Sequence, residues 1–225
     1  MSNKEIKGNL ARLLATENLV VELRSVPTAA FNVDTRVLTL PNWDKASSTV
    51  YDMLVGHEVG HALFTPDEDW TEKVKVPQQI VNVYEDARIE KLMKRKYPGL
   101  AKTFYQGYKE LNDDDFFDIA NEDIDTFNLA DRANLYFKVG SFLPLAFSPT
   151  EKQIINLIND CETFTDTLSA AQALYNFCKQ EQEKDSQEME LEAQQDALDD
   201  IENSGDLSID DAGDNTSPIS DSGSS

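Results

Sequence analysis

The sequence predicts a predominantly helical α+β domain with a small antiparallel sheet. Three observations carry this. Most of the chain to about residue 180 shows apolar residues at helical spacing, cut into segments by Pro and Gly. One stretch, "FNVDTRVLTLP", instead reads as a hairpin. Beyond Glu181 aromatic residues vanish and Ser, Asp, Glu and Gln dominate. The 225 residues therefore divide into a domain over 1–180 and an acidic tail over 181–225 expected to lack structure, with at most a marginal helix over 187–202.

The first element is expected to be a helix from Ser2 to Leu23, with Ile6, Leu10, Leu13 and Leu14 on one stripe and Pro27 beyond its end. The hairpin then pairs Phe31–Val33 with Arg36–Leu40 around a turn at Asp34–Thr35. Pro41 closes the second strand, which suits a sheet edge because proline cannot extend the ladder. A helix over "KASSTVYDMLVGHEVGHALF" follows, capped by Ser47 or Ser48 and stopped at Thr65–Pro66. Gly60 costs it helix propensity and so marks a close backbone approach. The next helix opens at Pro77 and closes before Pro98–Gly99. Others cover Leu100–Leu111 and the segment from Asp125 that stops at Gly140, separated by an acidic connector. Ser148, Pro149 and Glu151 form a capping-box pattern ahead of Ile154, Ile155, Leu157 and Ile158. A last helix runs over "DTLSAAQALYNFCKQEQEK".

Charge and composition exclude several classes. The net charge is −22, and the tail alone holds 15 acidic residues against one lysine. That disfavours nucleic acid, which needs a basic surface. No apolar run approaches the roughly 20 residues that span a bilayer, so no membrane partner is expected. The first ten residues show no secretory signal pattern. Cys161 and Cys178 lack a C-x-x-C spacing and read as reduced thiols. The expected location is cytoplasmic.

Both histidines of the chain lie in "HEVGH", as His57 and His61. Residues four apart stack on one helix face, so the two imidazoles can share one metal ion. Zn2+ suits two imidazoles plus a carboxylate, and a catalytic zinc keeps a position for water. Glu58, turned about 100° from His57, can flank the ion and act as general base. The third ligand must be a carboxylate or a thiolate. Glu85 shares a stripe with Val81, Ile89 and Leu92, where an unneutralised acid is costly, and a metal or Arg88 at i+3 would neutralise it. Asp86 lies with Asn82 and Glu90 on a stripe that reads as solvated, or it orients a ligand histidine from behind. Glu90 reads as a surface charge. Oxyanion stabilisation needs a donor, for which Tyr84, Tyr105, Tyr108, Tyr136 and Arg132 are the candidates.

"HEVGHALFTP" followed by "IVNVYEDARIEKLM" resembles the metallopeptidase-like domain of CobT-type and von Willebrand A-associated proteins, and more closely the peptidases of T4-like bacteriophages, including cyanophages. "FNVDTRVLTLPNW", "DRANLYFKVG" and "FSPTEKQIINLI" fit the same resemblance, which spans most of residues 25–180. It implies a zincin-like fold of the gluzincin kind, with His57, His61 and Glu85 on zinc, the adjacent Asp86 as the alternative third ligand, and Glu58 as the base. The implied activity is zinc-dependent peptide-bond hydrolysis on a peptide or protein substrate, in the host cytoplasm if phage-encoded or in a virion. Peptidases of this architecture often pair an edge strand with the substrate, which nominates Arg36, Val37, Leu38, Thr39 and Leu40, though an ordinary sheet edge explains them equally. The resemblance also implies a MoxR/CobS-type AAA+ ATPase or phage virion proteins as partners. The alternative is a non-catalytic metal-bearing interaction module of such an assembly. The tail reads as a solvated spacer or as a docking segment for a basic partner.

Overall fold

The computed structural model describes residues 3–16, 19–43 and 46–204. Helices dominate, in the order α1 (Asn3–Ala15), α2 (Ser48–Phe64), α3 (Gln78–Lys96), α4 (Leu100–Asp113), α5 (Leu129–Val139), α6 (Pro149–Asn156) and α7 (Phe164–Ser204). Three strands, β1 (Val20–Arg24), β2 (Ala30–Asn32) and β3 (Val37–Pro41), lie between α1 and α2. The chain is thus a mostly helical α+β protein. Serine caps start two of the helices where the sequence expects them. The Ser47 side chain accepts from the Val50 N–H to start α2, and the Thr65 N–H returns to the His61 carbonyl to end it. Ser148 and Glu151 form the full capping box of α6.

The sheet departs from expectation in two ways. It is mixed rather than antiparallel, because β1 pairs parallel to β3 while β2 pairs antiparallel to it. Its order is β1-β3-β2, so β3 is the central strand and Arg36–Leu40 offer no open edge. Strand β1 also replaces the end of the expected first helix. Thr16, at φ 57°, breaks α1, and the β-branched Val20 and Val21 favour a strand.

Helix α2 is buried nearly all round, packed by α1, α3 and α4. Glycines permit this. A Cβ on Gly60 would lie 2.7 Å from Ile89 Cδ1 of α3, and one on Gly107 would lie 2.7 Å from Met53 Cβ of α2. Two apolar clusters meet at α3. Met93 joins the cluster built on α1, the sheet, α2 and α4, while Val81, Val83 and Tyr84 join the one built on α5, α6 and the start of α7. The α2–α3 seam is where the histidines lie.

The chain divides into two units, Met1–Gln180 and Glu181–Ser225. In the second, the described residues to Ser204 are helical and the side chains to Gln195 exposed. The expectation of an unstructured segment from Glu181 weighed burial alone. Glu, Gln, Ala, Leu and Met are strong helix formers even where they pack on nothing. The tail expectation beyond Ser204 falls outside the described residues. Among the described residues no helix is long and apolar enough to cross a membrane.

Candidate metal centre

The i,i+4 spacing on α2 places His57 and His61 side by side, ring centroids 5.1 Å apart. Across the seam, α3 brings Asp86 against both. Asp86 Oδ1 lies 3.4 Å from His61 Nε2 and 3.8 Å from His57 Nε2. One ligand atom from each of the three residues falls within 4.8 Å of the others. Zinc bonds of about 2.0–2.1 Å at tetrahedral angles put ligand atoms about 3.3 Å apart, so this set needs little adjustment to hold the ion.

The hydrogen bonds behind the rings fix which nitrogen faces the site. His57 Nδ1 lies 3.0 Å from Glu90 Oε1, an acceptor, so Nδ1 holds its proton and Nε2 is the nitrogen that can ligate once its own proton leaves. His61 Nδ1 lies 2.9 Å from Thr65 Oγ1. The Thr65 hydroxyl already donates to Glu85 Oε1, so Thr65 must accept from His61, and Nε2 is again the nitrogen turned toward Asp86. Two unrelated supports thus produce the same tautomer. Carboxylate- or hydroxyl-backed histidines of this kind are what metal sites require.

The structure places Asp86, not Glu85, against the histidines. Glu85 Oε1 accepts from Arg88 Nη2 and Thr65 Oγ1, and Oε2 accepts from Arg88 Nε and Thr167 Oγ1. These four bonds use the lone pairs of the carboxylate, so none remains for a metal. Both Glu85 and Arg88 are about 2% exposed. The neutraliser of the acid on the apolar stripe is therefore arginine. Glu90 is also corrected. It is buried, holding His57 and Lys94 and accepting from the Tyr108 hydroxyl.

Electrostatics follow from this crowding of acids. Burial depresses the proton affinity of His57, but Asp86, Glu90 and Glu58 together more than reverse it and raise its pKa to about 9. Burial works against the Asp86 anion, but His57, His61 and Lys138 prevail and hold its pKa well below the usual range. Burial lifts the Glu58 carboxyl above its ordinary range against the pull of both histidines, and the Phe31 N–H also donates to it.

Glu58 thereby links the metal centre to β2. A cleft of about 420 Å³ opens here, lined by Glu58, His61 and Asp86 on one side and by Ala29, Ala30, Phe31 and Val33 of the β2 segment on the other. β2 is an outer strand of the sheet. Arg36, far from offering an edge, donates to the Ala62 carbonyl and so ties the hairpin to the end of α2. None of the five oxyanion candidates lines the cleft. Tyr84 donates to the Ile154 carbonyl, Tyr108 is held by Glu90, Arg132 pairs with Glu151, and Tyr105 and Tyr136 pack at an angle against Phe142 and Phe147. The side-chain N–H donors that do line it, besides His61, are Trp70, Gln78 and Asn82.

No family model, curated protein or solved structure matches this chain.

Sequence reasoning assigned Thr65 and Lys138 no place at the site, read Glu90 as a surface charge and named Tyr108 only as an oxyanion candidate. One signal was present. Asp86 and Glu90 are four apart, as are His57 and His61, and two acids so spaced repel each other on a solvated face. Facing a histidine pair of the same spacing, they are stabilised.

Proposed function

We propose that this protein is a zinc-dependent peptide hydrolase of zincin-like design, with His57, His61 and Asp86 as metal ligands and Glu58 as general base. The observation that carries the reading is the convergence of both Nε2 atoms on Asp86 Oδ1 beside a buried, unligated Glu58. An aspartate in third place departs from the glutamate that the sequence resemblance implies. Zinc held there supplies a Lewis acid and a water of lowered pKa. Glu58 takes the proton of the attacking water and passes it to the leaving amine nitrogen, a role its raised proton affinity suits. Glu90 and Thr65 hold the two rings in the ligating tautomer. The outer strand β2, rather than β3, is placed to receive an extended peptide as an added strand, since its segment walls the cleft. A merely structural site has no use for a base beside the ion and is usually closed by a fourth protein ligand.

The test uses the full chain loaded with zinc, an unfolded protein as substrate, and Glu58→Gln. The variant is expected to keep one zinc per chain and lose about 10²–10⁴-fold in hydrolysis. A folded, zinc-loaded wild type that cleaves nothing, or a variant as active as wild type, would refute the peptidase reading.

A further inference from the structure

Lys138 sits in the last turn of α5, a helix that packs on α3. Its Nζ lies 3.0 Å from Asp86 Oδ2, with the two side chains 20% and 17% exposed. Asp86 therefore divides its oxygens. Oδ1 faces the histidines and Oδ2 faces a lysine. Glu90 repeats the division one turn later, with Oε1 on His57 and Oε2 on Lys94 at 3.1 Å.

The division matters most at Asp86, because Asp86 is the ligand. A carboxylate can give a metal one oxygen or two. Two imidazoles and a two-oxygen Asp86 would supply four donor atoms from protein alone, so that a water could bind only as a fifth ligand. A lysine against Oδ2 competes for that oxygen and sets a positive charge where the cation would otherwise approach. We propose that Lys138 is a positioning residue that would restrict Asp86 to one-oxygen ligation, so that a bound metal takes three protein donors and keeps water as its fourth, tetrahedral ligand. The inference rests on the metal-site reading above and assigns Lys138 no contact with substrate.

An ordinary partly exposed ion pair would stabilise the fold slightly and leave coordination untouched. The two cases separate spectroscopically. Cobalt(II) replaces zinc in such sites, and its visible absorption is strong in a four-coordinate tetrahedral field, which has no centre of symmetry, and weak at higher coordination number. Wild type, Lys138→Met and Lys138→Arg, each as full chain, would be loaded with cobalt and with zinc. All three are expected to bind one metal. In Lys138→Met the absorption per cobalt is expected to fall several-fold, while Lys138→Arg, whose guanidinium can also hold Oδ2, keeps the wild-type spectrum. An unchanged spectrum in Lys138→Met overturns the inference, as does a failure of arginine to restore it. Loss of metal from a folded Lys138→Met also overturns it, since Lys138 would then support binding rather than geometry. Should Lys138→Met not fold, Lys138→Ala, which likewise has no donor for Oδ2, takes the same test with the same outcomes. A wild type that binds neither metal would instead refute the metal-site reading itself.

Discussion

The two histidines of α2 are supported in opposite ways. Behind His57 stands an acid in direct contact, Glu90, itself held by Tyr108 and Lys94. Behind His61 stands a hydroxyl, Thr65, and only behind that an acid, Glu85, whose charge Arg88 neutralises. The first support places negative charge against the ring. The second passes only a hydrogen bond. The same tautomer results on both sides, but only His57 has a carboxylate directly behind its ring, which adds to the larger pull of Asp86 in raising its proton affinity against burial.

The sharpest way to break the comparison is at the two adjacent acids of α3. Asp86→Ala is expected to reduce zinc from about one per chain to almost none, read by elemental analysis. Glu85→Ala is expected to act mainly on the fold, because it strands Arg88 in the interior. Breaking a buried pair in this way costs about 3–5 kcal/mol, measurable by denaturant titration. Zinc lost with Glu85→Ala from a stably folded chain, and retained with Asp86→Ala, would reverse the assignment.

A smaller effect is expected at the supports themselves. Outer partners of ligand histidines typically contribute 10–100-fold to metal affinity. Glu90→Gln should lie near the upper end, about 100-fold, because it removes a charge. Thr65→Val should lie near about tenfold, because it removes only a hydrogen bond. Competition with a chromophoric chelator measures both, and equal losses would show that the charge difference between the two supports is immaterial.

The mildest test is pH. In the metal-free protein the His57 pKa is about 9, above the roughly 6.5 of an unfolded histidine. Its contribution to stability is therefore fully present below about pH 6.5 and is lost as pH rises through about 9. Thermal melts of the zinc-free chain should fall across that window. Zinc must displace the same proton, so its affinity should rise with pH over the window and level off above about 9. A flat zinc-affinity profile would mean that His57 is not a ligand.

Several features were legible in the sequence because they are local. The His57–His61 pairing follows from helix periodicity alone. Ser47 and Ser148 announce helix starts through their own side chains, and Gly60 announces a close approach through its lack of one. The hairpin between β2 and β3 was likewise carried by alternation and a turn. What the sequence left open depended on partners distant in the chain. Whether β3 is an edge depends on β1, which pairs with it from the other side. Whether Glu85 or Asp86 faces the histidines depends on a rotation of α3 of about 100°, one residue's worth. Periodicity placed Glu85 on the apolar stripe correctly, but an apolar stripe can point at a core or at a site. The tertiary structure decided between them by supplying Arg88, Thr65 and Thr167 around Glu85, and Lys138 and the two imidazoles around Asp86. A buried carboxylate goes where its compensating charges are, and those charges come from helices that only the fold brings together.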